Sequence, residues 1–407
     1  MIRRVAGVVG VLGLVGVPAV VVHRSGALDD TPPVLSLEVP QGVVRGHITI
    51  ALAAVDAQPG VATMHLVVDD GPPTPASNGP LTLDTTTLSD GPHTVVLRAS
   101  DHAWTPNSHS VRATFTVDNT PPAFQWTLVP AQPAQGEVAA VYLWSDEPLS
   151  HPAFKGIDQA RLFRSLDSRH WRVLVGVGVT TPPGPTTVDV HVADLNGNAL
   201  RCTIPVDIQA TTFPRGGTIR LSKKQVKARK DTEALAQMKA DRTAAYTHIE
   251  ARSRWSGATL RPVAGRRTSG FGRYRTYSDG RKKHHLGTDL ANLTGTPVKA
   301  ALAGEVRAAG WQHLFGNAVI LHHGQGLTTS YNHLSEINVS MGDVIDQGTV
   351  VGALGSTGQS TGPHLHWGMQ VGEVEVDPER WPDHGFQLPA VSEHFMWHTT
   401  PDCVRVE

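Results

Sequence analysis

Three short stretches hold side chains that can bind a metal or move a proton. "STGPHLHWGM", over 360–369, sets His364 and His366 two residues apart after a Gly-Pro turn. Strand side chains alternate faces, so both imidazoles enter one space if this is a strand. "HHLGTDL" sets His285 four residues before Asp289, a spacing that shares a face on a strand and also aligns on a helix. "TTSYNHL" adds His333, two residues after Tyr331. A lone histidine is more often structural than a ligand. Together, a carboxylate and imidazoles from separate strands meet the needs of hydrolytic zinc. Such a site takes three protein ligands and leaves a position for water. Surplus imidazoles can then move protons and stabilise a developing oxyanion.

These residues must be positioned by glycine-rich, strand-like sequence that begins at Ala258. Its text resembles the lysostaphin/LytM-type zinc endopeptidases, which cut peptides in bacterial peptidoglycan. The matching text runs from "TSGFGRYR" through "HLGTDLA", "GTPVKAALAGEV" and "GNAVILHHGQGLTTSYNHLS" to "VIDQGTVVGALGSTGQSTGPHLHWGM". The resemblance implies an antiparallel β catalytic domain over 258–385 holding one zinc ion. It implies that His285, Asp289 and His366 are the zinc ligands and that His333 and His364 are catalytic. Tyr331, Asn317, Ser269 and Arg275 are candidates for the substrate groove, with core or turn roles open for Tyr331 and Asn317. His284, His322 and His323 are expected to be structural. Relatives often carry Phe-Glu after H-x-H, where this chain has Trp367 and Gly368, a change expected to alter packing or groove shape and not metal binding. "GALGSTGQSTG" lacks the Gly-Lys-Ser/Thr ending of a phosphate loop.

Upstream, "DDTPPVLSL" from Asp29 and "DNTPPAFQW" from Asp118 mark an internal repeat of sandwich size. The repeats resemble bacterial immunoglobulin-like modules. The expected fold class is therefore mainly β: two immunoglobulin-like sandwiches (29–117 and 118–212), a short helical linker (213–257) and the catalytic domain. Asn196-Gly197 signals a hairpin. Asp69, Asp70, Asp84, Asp90, Asp101 and Asp118 read as turn residues, with calcium binding the less favoured role. In the linker, Asp231 is a candidate N-cap, and Leu235, Met238, Ala245 and Ile249 lie near one stripe. Leu221 to Arg254 carries nine Lys and Arg against four Asp and Glu. A solvated helix is the favoured reading of that surplus, and attraction to an anionic polymer the other.

The 407 residues carry a formal net charge of -1, so no basic field is available to hold nucleic acid. Arg3 and Arg4 precede an uncharged stretch from Val5 to Val22, so residues 1–28 read as an export signal or a membrane anchor. The rest is expected in the periplasm or cell envelope, or secreted. Cys202 and Cys403 form no C-x-x-C pair; a disulfide and two free thiols both stay open. The stretch after Trp381, with His384, His394 and His398 and ending in the C-terminal tail 386–407, is expected to cover the groove or to pack elsewhere. The functional expectation is zinc-dependent hydrolysis of peptidoglycan stem peptides or cross-links. Its alternatives are a catalytically silent wall-binding or amidase-activating protein, and an adhesive role of the sandwiches.

Overall fold

The computed structural model describes residues 29–57, 60–157, 161–162, 164–167, 169–248, 250–387, 398–399 and 402–406. The export or anchor stretch at 1–28 lies outside them. The chain is mainly β and divides into two compact units after Asn119. No helix among the described residues is long and apolar enough to cross a membrane.

The first unit is a two-sheet sandwich. His47–Val55 alternates strictly, with Ile48, Ile50, Leu52 and Ala54 buried and the residues between them facing out. It pairs with Val34–Glu38 and Gly79–Asp84. The facing sheet is built on Val61–Val68, Gly91–Asp101 and Ser108–Val117, and its Leu66, Val95, Leu97 and Phe115 share the same core. Two of the acids hold turns, and one of them, Asp101, also lies with Asp29 and Asp56 in a group whose oxygens come within 4.8 Å of one another. Asp84 accepts from Thr86 N at 2.9 Å, and Asp101 accepts from the amides of Ala103 and Asn107, each at 3.0 Å.

The second unit opens with another two-sheet sandwich. Val138–Ser145 and His170–Gly176 centre one sheet, and Gly184–Ala193 and Ala199–Ile208 the other. The Asn196-Gly197 turn joins the latter pair, with Ala193 opposite Ala199. Phe124, Leu143, Phe154, Val190 and Ile204 fill the space between the sheets. The described part of the tail returns to this sandwich. His398–Thr399 pairs with Phe124–Val129, Cys403–Val406 pairs with Ala199–Ile208, and Cys202 bonds Cys403. The bond closes a span of 201 residues that contains all of 258–385. Long loops are those whose closure most restricts the unfolded chain, so Cys403→Ser should cost about 2–5 kcal/mol. Thermal unfolding with and without reductant checks this; an unchanged Tm in both comparisons would remove the clamp.

The segment expected as a helical linker is more than that. It begins with an edge strand, Arg215–Ile219, paired in parallel with Tyr274–Tyr277. A short helix, Lys223–Ala228, comes next under a Ser222–Gln225 capping box. A longer helix, Thr232–Tyr246, starts where Asp231 accepts from Ala234 N at 3.1 Å. Ala245 and Tyr246 are its buried end; Ile249 lies outside the described residues.

Residues 258–385 are built around an antiparallel sheet. From one edge its strands run Arg266–Ser269, Thr288–Ala291, Leu365–Val371, Leu327–Leu334, Gly316–His322, Gly304–Gln312 and Val344–Ile345. Leu290, Val319, Leu321, Tyr331, Leu365 and Trp367 form its core. His323 is wholly buried, with Nδ1 2.7 Å from Ala303 O and Nε2 2.8 Å from Thr329 Oγ1. Burial pushes its pKa down to about 4. The folded state therefore keeps it neutral while the unfolded chain takes up a proton near the ordinary histidine value. Its contribution is full above about pH 6.5 and is lost as pH falls toward 4, at up to about 1.4 kcal/mol per unit. Denaturant titrations at pH 7 and pH 5 should show a loss that His323→Gln flattens.

Candidate metal centre

Strand register assembles the site. Thr288–Ala291 lies beside Leu365–Val371 with Asp289 directly opposite His366. Asn332, on the other flank, is also opposite His366, which brings the next residue, His333, to the same end of the sheet. His364 comes just before the strand and its imidazole reaches the same space. Alternation sends Trp367 to the other face, into the core. Gly287 gives His366 its room. A Cβ there would lie 2.7 Å from His366 Cε1 and 2.7 Å from Trp367 O.

Three donor atoms converge. His285 Nε2 is 3.0 Å from Asp289 Oδ1, His366 Nδ1 is 2.9 Å from the same oxygen, and the two nitrogens are 3.0 Å apart. Tetrahedral ligands at about 2.0 Å from a zinc ion stand about 3.3 Å from one another. The triangle therefore needs only slight widening to hold a metal ion. Neighbours fix each donor's aim. His285 Nδ1 donates to Gly270 O at 3.1 Å, with Ser269 Oγ 3.4 Å away, which leaves Nε2 facing the centre. Arg275 Nη2 holds the outer oxygen of Asp289, Oδ2, at 2.8 Å.

Electrostatics suit the donors to a cation. Burial alone would raise Asp289, but hydrogen bonds to His285 and His366 hold it well below the usual carboxylate range. Burial pushes His366 down to about 4, only partly offset by Asp289. The site thus presents an ionised carboxylate and a neutral imidazole, the forms that bind metal.

Two further imidazoles stand beside the triangle. The His333 and His364 rings are 4.9 Å apart. His364 Nε2 is 3.8 Å from Asp289 Oδ1, while its Nδ1 donates to Gly362 O at 2.8 Å. His333 donates from Nδ1 to Thr357 O at 2.8 Å. Burial, with His366 and His364 adding to it, pushes His333 down to about 3, so the ring stays neutral. His333 also holds φ at +66°, a region that costs a non-glycine residue energy. Its amide bond to Phe315 O and its side-chain bond to Thr357 keep it there. The glycine-rich loop serves this packing: a Cβ at Gly355 would sit 2.8 Å from His333 O.

All five histidine and aspartate positions line one cleft of about 590 Å³, together with Ser269 and Arg275. Two groove candidates do not line it. Tyr331 is wholly buried, and its hydroxyl accepts from Ala301 N at 2.7 Å, so it is a core residue. Asn317 donates from its backbone amide to Thr357 Oγ1 at 3.0 Å and from its side chain to Ser335 O at 3.3 Å, which braces the loop behind His333. His322 and His323 are buried away from the cleft, and His284 donates to Gly272 O at 2.8 Å. Gln225 and Arg229 from the preceding segment, and Phe315, line the cleft without having been singled out from sequence. The basic surplus of that segment was the one available signal for Arg229.

Residues 283–378 match the pattern of peptidase family M23. DD-carboxypeptidase/endopeptidase Mpg of Neisseria meningitidis is 43% identical over 94 residues, 23% of this chain and 22% of that protein. The catalytic domain of lysostaphin from Staphylococcus simulans is 36% identical, over 28% of this chain and 89% of that one, with a TM-score of 0.26. The chain belongs to peptidase family M23 through this domain. A putative M23 peptidase from Pseudomonas aeruginosa is 28% identical, over 63% of this chain and 96% of that one, with a TM-score of 0.46. The chain spans about a fifth of the length of the curated relatives named Mpg and lysostaphin. The M23 match begins just before His285 and ends just after the strand that carries His366. It therefore encloses the five histidine and aspartate positions but leaves out Ser269, Arg275 and the segment with Arg229.

Proposed function

We propose that this chain is a zinc-dependent endopeptidase that hydrolyses stem peptides or cross-links of bacterial peptidoglycan. The observation that carries the reading is the triangle of His285 Nε2, Asp289 Oδ1 and His366 Nδ1, closed within 3.0 Å, with two more imidazoles at its edge. Relatives named as peptidoglycan DD-endopeptidase and lysostaphin support the substrate class. His285, Asp289 and His366 would hold the ion, and zinc there supplies Lewis acidity for a carbonyl and an acidified water near neutral pH. His333 and His364 face the same space and carry the proton work. One accepts the proton released as a nucleophile forms, and the pair returns it to the departing amine. Arg275 holds the outer oxygen of Asp289 at 2.8 Å, which leaves the other oxygen turned inward. A polymer outside the cytoplasm is the substrate, which agrees with reading residues 1–28 as an export signal or anchor.

The test measures zinc content and muropeptide release on the purified protein beside His366→Ala. Near-stoichiometric zinc and new free peptides, both lost in the variant, are expected. Zinc binding without release from walls of several cross-bridge types would favour a silent wall-binding or amidase-activating protein. Absence of both would end the enzyme reading.

A further inference from the structure

One wall of the cleft comes from outside the M23 match. The strand Arg215–Ile219 and the helix Lys223–Ala228 bring Gln225 and Arg229 to the histidines. Several bonds hold the segment in place, three of them made by side chains near the cleft. Leu221 N donates to Ser278 Oγ at 3.0 Å, Gln225 Nε2 to Ser360 O at 3.2 Å, and Gln359 Nε2 to Gln225 O at 2.9 Å. Two of these reach the loop that precedes His364, so the wall is tied to the catalytic edge.

The wall and the adjoining hairpin set three cations into the cleft: Arg229, Arg273 and Lys283. The carboxylates nearby are already engaged. Asp289 is held by Arg275 at 2.8 Å, and Asp279 by Arg281 at 2.5 Å. Among the described residues, none of the three cations has an ion-pair partner. Arg229 stacks 5.1 Å from the centre of the Tyr277 ring, with its Nε buried and unbonded. Arg273 lays its stem along Gly216, where a Cβ would lie 3.4 Å from its Cγ and Cδ. Asp279 and Tyr277 offset the charge of Arg229 only in part, and like charges gathered in a concave site repel one another and attract an anion. Arginine answers a carboxylate best, through paired parallel hydrogen bonds.

We propose that this wall recognises a free carboxylate beside the scissile bond, with Arg229 as a specificity-determining residue. The substrate is then an acidic peptide, a stem-peptide cross-link with an unamidated carboxyl, and not a neutral glycine bridge. The inference rests on the endopeptidase reading for its catalytic half, and on the cleft's charges alone for its binding half.

The test uses the zinc-loaded full chain and three probes: a cross-linked muropeptide dimer with its free carboxyl, the same dimer amidated, and pentaglycine. The free acid should be cleaved with kcat/KM at least about tenfold above the amide, mostly through KM, and pentaglycine barely at all. Arg229→Gln should bring the free-acid value down toward the amide's. A second readout is binding of both dimers to His364→Ala protein by calorimetry, where Arg229→Gln should weaken the free acid alone by about tenfold. Equal handling of acid and amide, efficient pentaglycine cleavage, or an equal fall on both dimers in Arg229→Gln would overturn the proposal. If nothing is cleaved yet the acid binds through Arg229, carboxylate recognition stands and the endopeptidase reading falls.

Discussion

Alanine at position 364 should leave metal content unchanged and lower kcat by about 10²–10⁴-fold. His364 is next to the donor triangle without being part of it. Its Nε2 is 3.8 Å from Asp289 Oδ1, whereas the His285 and His366 nitrogens reach that oxygen at 3.0 and 2.9 Å. Its Nδ1 is committed to Gly362 O, with Ser360 Oγ 3.2 Å away, so the ring is aimed and Nε2 is left to face a reacting group. An imidazole so placed can hold or pass a proton without contributing to metal affinity. Removing it should therefore separate the two properties that His366→Ala removes together. Metal per protein by mass spectrometry, with turnover under saturating peptide, checks this. Loss of metal in His364→Ala would make His364 a ligand; activity within about threefold of the parent would make it a bystander, since general acid–base groups contribute far more than that.

Period two made only part of the site readable. It holds for Asp289 and His366, which the observed register sets opposite each other, whereas His285 and His364 lie just outside those strands and reach the same space from loops. The same rule sent Trp367 to the core. Alternation stops being informative where both faces are covered. Every residue of Leu327–Leu334 is buried, so nothing in its pattern separated Tyr331, in the core, from His333, in the cleft. Pairings between distant segments were equally hidden. Composition marks Leu221 to Arg254 as basic and helix-favouring, but the strand Arg215–Ile219 just before it, and its parallel pairing with Tyr274–Tyr277, are tertiary decisions. The Cys202–Cys403 bond likewise depends on the tail returning to a sandwich that the chain left far upstream. In the linker the charge itself was legible, but its purpose appears only once Arg229 is seen lining the same cleft as the histidines.

Gly287→Ala tests how tightly the metal site depends on a residue that contacts no metal. Gly287 does not occupy the left-handed region, so an alanine backbone is tolerated there. The obstacle is space. The added carbon would meet His366 Cε1 at 2.7 Å, His366 Nε2 at 2.9 Å and the Trp367 carbonyl at 2.7 Å, all closer than real side chains approach. The carbonyl belongs to a central strand and Trp367 is locked in the core, so the backbone cannot yield cheaply. The His366 ring, facing the cleft, is the part that can move. Swinging it away from Asp289 opens the 2.9 Å contact and breaks the triangle. Metal affinity should fall by about 10–100-fold, the range seen when groups that orient ligands are lost. Activity at limiting zinc should fall with it and recover partly when zinc is raised, a pattern that a lost catalytic group would not give. Gly217→Ala is the control, since a Cβ there meets nothing within 4 Å. Unchanged zinc affinity in Gly287→Ala would mean that His366 is held by something stronger than its clearance from residue 287, and the site's rigidity would then have to come from Asp289 and its Arg275 clamp.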